Sequence, residues 1–176
     1  MKKILLSMVA LFAAVTMNAQ NEMYVGGTLN FQTKANAVNK SIITVAPEIG
    51  MSLNEQFGVG AVLSYTASQD VYNEFKINPY LRYNALEIGK VKVFVDGGIY
   101  YINHKPKDAD ADNFFGLNVT PGISYDLTDH FSIVAHANPI FNVDITSPAV
   151  GDSRTTVNFL QKFNVNTFNF GFYYNF

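Results

Sequence analysis

FKINPYLRYN, residues 75–84, decides the fold: Phe75, Ile77, Pro79, Leu81 and Tyr83 occupy one parity, and Lys76, Asn78, Tyr80, Arg82 and Asn84 the other. A repeat of two is the side-chain period of a β-strand, and no helix presents its faces that way. The following stretch does the same, with Val91, Val93, Val95, Gly97, Ile99 and Tyr101 alternating with Lys92, Phe94, Asp96, Gly98 and Tyr100. One parity is apolar and aromatic; the other collects the charges.

Working outward from these two segments, the alternation predicts strands at about 22–31, 41–53, 57–68, 74–84, 91–103, 114–127, 131–143 and 163–176. The apolar parity continues through Val45, Ile49, Met51 and Leu53, then Phe57, Val59, Leu63 and Tyr65, then Leu117, Val119, Ile123 and Tyr125. Glu48, Ser64, Asn118, Asp126, His136 and Asn142 lie opposite. Asn54-Glu55-Gln56, the stretch 85–90 and Thr128-Asp129-His130 read as short connections, whereas 32–40, 69–73, 104–113 and 144–162 read mostly as longer loops. Tight turns at one end and loops at the other, on strands that cover the roughly 9 to 11 residues of a tilted crossing with a little overhang, describe a transmembrane barrel. The expected fold is therefore all-β, an eight-stranded antiparallel up-and-down barrel with both termini at the short-turn end. Pro47, Pro79, Pro121 and Pro139 fall inside expected strands, where each removes a ladder donor.

Lys2 and Lys3, the apolar run from Ile4 to Val15 and the small residues ending at Ala19 read as a secretory signal peptide over 1–19, leaving one barrel domain over 20–176. That apolar run is shorter than the roughly 20 residues of a membrane-spanning helix. The chain contains no cysteine, which excludes disulfides, lipidation at a cysteine and cysteine metal sites. Its formal charge of −2, made more negative by loss of the two signal lysines, gives no footing for nucleic acid. The 15 Phe and 10 Tyr suit the girdles of a membrane barrel, since a soluble barrel inverts the pattern and an exterior of Phe, Tyr, Leu and Val aggregates in water.

Pro47-Glu48-Ile49-Gly50, Phe57-Gly58-Val59-Gly60, Leu63-Ser64-Tyr65, Asn78-Pro79-Tyr80-Leu81-Arg82-Tyr83 and the stretch from Thr120 to Asp129 together resemble the outer-membrane β-barrel superfamily. The architecture is similar to that of the small eight-stranded OmpA and OmpX type barrels, porin-like in outline. The resemblance implies the outer membrane of a Gram-negative bacterium, with lipid and lipopolysaccharide as surroundings. Phe168, Phe170, Phe172, Tyr174 and Phe176 alternate to the last residue, which resembles the signal read by the barrel-assembly machinery. Read without that resemblance, the same segment is an amphipathic edge strand.

Eight strands enclose a lumen that side chains fill, so inward charges must pair. Glu48, Asp96 and Asp126 face Lys76, Arg82 and Lys92 on the inward parity, with His136, Tyr80, Tyr100 and Tyr173 between them. Glu48, Arg82 and Asp96 are expected to form the central network, because burying any one alone costs several kcal/mol. Its bland role is a structural plug; its functional one is ion or proton passage. Asp108, Asp110 and Asp112 superficially match a calcium loop, but Asn113 stands in place of the turn glycine and Val119 in place of the bidentate glutamate. No cofactor, metal or catalytic set is expected. Some outer-membrane barrels modify lipid A, yet only His104, beside Lys105 and Lys107, is expected near the outer surface, and no nucleophile accompanies it. The two lysines could instead meet lipopolysaccharide phosphates. The expected function is that of a filled barrel with a structural or surface-interaction role through its external loops; the alternatives are a narrow passive channel and, behind it, a lipid A-modifying enzyme.

Overall fold

A computed structural model describes residues 22–34, 40–69, 71–148, 151–159 and 168–176. The expected signal peptide lies outside the described residues. Ten strands make one antiparallel sheet among them: β1 (Met23–Lys34), β2 (Lys40–Ser52), β3 (Phe57–Ser68), β4 (Tyr72–Ile88), β5 (Val91–Pro106), β6 (Asp112–Asp126), β7 (Phe131–His136), β8 (Phe141–Ser147), β9 (Arg154–Phe159) and β10 (Asn169–Asn175). The order β5-β4-β3-β2-β1-β10-β7-β6 closes on itself through β5–β6 pairing. β7 and β8 both pair with β6, as lower and upper halves of one stave, and β9 and β10 flank those halves as another. The expected eight staves are all there, one of them interrupted between β7 and β8. Closure matters because hydrocarbon offers no hydrogen bonds to a free edge.

Local chemistry sets the turns at the end where Glu22 and Phe176 lie. Asn54 Oδ1 accepts from the backbone N–H groups of Gln56 and Phe57 at 2.9 and 2.8 Å, and Thr128 Oγ1 does the same for His130 and Phe131 at 3.3 and 3.0 Å. Both loops are thereby folded by one polar side chain following a leucine. The third turn is only Gly89-Lys90, with Gly89 at φ +59°, a conformation that costs any side-chain-bearing residue.

The stretch 85–90, read as a connection, is mostly strand. A bulge between Asn84 and Leu86 shifts the parity by one, so Leu86 and Ile88 face outward despite their even numbers.

At the other end the strands run further than expected. β4 starts at Tyr72, β5 continues to Pro106 and β6 begins at Asp112, so the expected loop 104–113 contracts to 107–111. The expected loop 144–162 holds the end of β8 and all of β9, paired from Phe141↔Phe159 to Thr146↔Arg154. These rungs keep the alternation over a short span, with Phe141, Val143, Ile145, Val157 and Phe159 on one face and Asn142, Asp144, Thr156 and Asn158 on the other. The expected strand 163–176 is seen from Asn169, and 160–167 lie outside the described residues.

Each in-strand proline sits where pairing lapses on one side. The β2–β3 ladder skips from Val45↔Tyr65 to Glu48↔Val62, passing over Pro47, and the β4–β5 ladder skips from Ile77↔Tyr101 to Tyr80↔Gly98, passing over Pro79. Pro121 and Pro139 both lie at the break between β7 and β8. There the six-residue step from Ala135 to Phe141 opposes a four-residue step on β6. Two extra residues preserve the inward and outward parity, and Ala137 and Ile140 still donate to the carbonyls of Pro121 and Val119 at 2.9 Å. The missing donors therefore fall at gaps in the ladder.

Leu29, Leu81, Leu117, Ile123, Phe170 and Phe172 project from the wall, while Glu48, Arg82, Asp96, Tyr80, Phe94 and Tyr173 are buried inside. Met51, on the outward parity, is an exception at 1% exposure.

Candidate functional site

The lumen is built from rings opposed to glycines. Tyr24 lies across from Gly50, Tyr80 from Gly60, Phe94 from Gly122, Tyr100 from Gly116 and Tyr173 from Gly26. A Cβ at Gly60 would stand 2.4 Å from the Tyr80 hydroxyl, and one at Gly122 2.4 Å from the Phe94 ring. The aromatic side chain lies flat over its neighbour strand because that neighbour lacks a side chain. A narrow barrel can thus hold five inward rings in register.

These rings frame Arg82. Its Nε and Nη2 donate to the two carboxylate oxygens of Asp96 at 2.8 Å each, a bidentate pair between neighbouring strands β4 and β5. Nη2 also reaches Glu48 Oε1 at 3.3 Å and the Tyr173 hydroxyl at 3.2 Å. Glu48 Oε1 accepts from Tyr173 at 2.8 Å and from Tyr80, whose hydroxyl oxygen is 2.5 Å from that of Tyr24. His136 Nε2 lies 3.4 Å from Asp96 Oδ2. The guanidinium rests on the Phe94 ring, 3.7 Å from its centroid. Side chains from β1, β2, β4, β5, β7 and β10 meet on one cation. Arg82, Glu48 and Asp96 are 7%, 4% and 6% exposed, so their charges are held by one another and by hydroxyls rather than by bulk water.

The six charged lumen residues expected from sequence divide into three groups. Glu48, Arg82 and Asp96 come together at the centre. Lys92 and Asp126 pair at 3.3 Å nearer the termini, with Glu87 3.9 Å from the same ammonium. Asp126 also accepts from Ser132 at 2.6 Å, and Ser132 from Asn175 at 2.9 Å. Lys76 stands above the centre, its ammonium 4.9 Å from the centroid of Tyr100, whose hydroxyl donates to Asp144. Asp144 was hidden from the sequence reading inside an expected loop, whereas Tyr24 lies within the expected strand 22–31 and was not singled out there. The inward-parity glycines were the signal that could have placed the rings. His104, expected near the outer surface, turns inward with its Nδ1 3.1 Å from Glu74 Oε2 and its ring against Tyr72.

Below the Arg82 cluster the lumen widens into a cavity of about 720 Å³ that includes Lys92, Asp126, His130 and Asn175 among its walls and has Arg82, Phe94 and Tyr173 at its floor. On the outer wall Phe170, Phe172, Tyr174 and Phe176 of the final segment face away from the lumen, and Tyr174 meets Phe131 and Phe176 edge-on. Phe57 and Tyr83 add to the same girdle, while Tyr101 and Phe115 stand toward the opposite rim.

A closed sheet with aromatic girdles, apolar outside and charged within, agrees with the family comparison: the outer membrane protein beta-barrel domain family matches residues 4–176. The chain belongs to that family. Its place is accordingly the outer membrane. Among solved structures, this outer-membrane barrel is similar to Neisserial surface protein A, with a TM-score of 0.53, 11% identity and coverage of 89% of this chain and 96% of that one. A major outer membrane protein of Thermus thermophilus aligns at a TM-score of 0.44, 13% identity and coverage of 90% and 100%. At such identities the likeness concerns the fold alone. No curated protein matches the sequence.

Proposed function

We propose that this outer-membrane barrel is closed to solutes and serves as an integral envelope protein whose working surface is its external rim and lipid-facing wall. The observation that carries the reading is the Arg82 cluster. One guanidinium is bound to Asp96, Glu48 and Tyr173 and stacked on Phe94, so side chains from several staves meet across the lumen. A permeating ion would have to break a bidentate ion pair in a site with little water to replace it. The cavity beneath is a blind vestibule in this reading. Its opening favours the runner-up, a narrow channel, only if the cluster can part.

Refolded protein in a planar bilayer separates the two. Wild type is expected to give no steady unitary current, and a reproducible single-channel conductance from it would overturn the closed-barrel reading. A lipid A-modifying activity has less support, since His104 is engaged by Glu74 in the lumen. Mass spectra of lipid A from cells with and without the protein should coincide. The alternating Phe168, Phe170, Phe172, Tyr174 and Phe176 are proposed as the mark read by the assembly machinery, so deleting Phe176 should lower the membrane-inserted yield in cells while purified protein still refolds in detergent.

A further inference from the structure

The vestibule beneath the Arg82 cluster, about 720 Å³, is walled in part by two polar groups that the protein leaves without a partner. Arg82 commits its Nε and Nη2 to Asp96, Glu48 and Tyr173, whereas its Nη1 makes no hydrogen bond among the described residues and is not sealed over by protein. Ser124 Oγ is likewise without a partner. Both residues line the vestibule and are only 7% and 8% exposed, so an acceptor reaches these donors through the cavity. A buried donor left unmade is costly, and most such groups in folded proteins are satisfied. Glu55, Lys90 and Asp129, one from each of the three short turns, also belong to the walls, so the cavity opens at the short-turn end.

We infer that the vestibule binds a small uncharged saccharide entering from the short-turn end, with Arg82 Nη1 donating to a ring or carbonyl oxygen and Ser124 Oγ bonding a hydroxyl. Charge decides the class of ligand. Arg82 already faces Glu48 and Asp96, and Lys92 faces Asp126 and Glu87, so an anion would add to a surplus of negative charge. An amine would set its own charge against the guanidinium at the floor. Neutral oxygens fit both, since they accept from Nη1 and their hydroxyl hydrogens can reach the lone pairs that Asp126 keeps beyond its bonds to Lys92 and Ser132. The volume falls within the roughly 300–1,000 Å³ of small-molecule pockets. The inference goes beyond the closed-barrel reading, and its test reads binding rather than passage.

The test uses the full mature chain refolded in dodecylphosphocholine micelles, which carry no sugar, and follows amide NMR shifts as cellobiose, maltose or chitobiose is added. At least one of the three should give saturable shifts centred on Lys92, Phe94 and Ser124. Glucuronate and putrescine, of opposite charge, should not displace it. Ser124→Ala should weaken binding about two- to tenfold, the worth of one hydrogen bond, and Ser124→Leu, which fills the space, should abolish it. Ser64→Ala, on the inward face above the cluster, should leave binding unchanged. Heat-modified mobility verifies that the variants are folded. Absence of saturable shifts with all three sugars would overturn the inference, and so would tighter binding of glucuronate or binding that survives Ser124→Leu.

Discussion

Arg82 brings a permanent charge into a lumen where, among the described residues, Glu48 and Asp96 are its only close carboxylates. Replacing it by Met removes the cation but leaves both anions buried, so Arg82→Met should destabilise the barrel by about 3–5 kcal/mol, the cost of breaking one partner out of a buried pair. Urea unfolding in detergent micelles measures this, and an unchanged midpoint would refute the network's role. Arg82→Lys should recover only part of the loss, because a single ammonium cannot match the two parallel bonds to Asp96. Gly60 offers a second test at this scale. A methyl group there meets the Tyr80 hydroxyl at 2.4 Å, so Gly60→Ala should push Tyr80 from Glu48 and cost about 1–3 kcal/mol, the usual range for overpacking.

Among the elements, the hairpins differ in how their geometry is enforced. Asn54 and Thr128 fold their turns with side-chain oxygens, whereas Gly89 relies on a left-handed backbone. Gly89→Val should therefore destabilise by about 1–2 kcal/mol, the penalty of that conformation for an L-residue, with the same unfolding assay as readout. Pro139 lies in the break between β7 and β8, where no ladder bond awaits its nitrogen. Pro139→Ala should stay within about 0.5 kcal/mol of wild type, as for a substitution outside any special contact. A large loss would mean that the proline ring itself sets the two-residue insertion.

For the whole molecule, the decisive property is the reversal of polarity across the wall. Leu81 and Arg82 are adjacent in sequence, yet one is 49% exposed on the outside and the other buried within. Leu81→Arg would place a guanidinium in hydrocarbon, and the expected loss is about 2–4 kcal/mol, the cost of such a residue near the bilayer midplane. Measured by unfolding from lipid vesicles, that loss should shrink in detergent, where head groups and water come closer to the wall. Equal losses in both would argue that Leu81 packs against protein rather than lipid.

By itself the sequence determined the period of two, the direction of the side chains along the regular strands and hence the closed barrel, because apolar and polar residues must take opposite faces of a strand between oil and a filled lumen. It also singled out Glu48, Arg82 and Asp96, since charges on an inward parity have only one another to pair with. Tertiary structure alone decided the rest. The pairing of rings with glycines, the split of the lumen charges into three groups and the reach of Tyr100 to Asp144 depend on register between staves, which residue spacing within one strand does not encode. β4, β5 and β6 outran their expected external ends because backbone pairing continues where apolar alternation has already stopped.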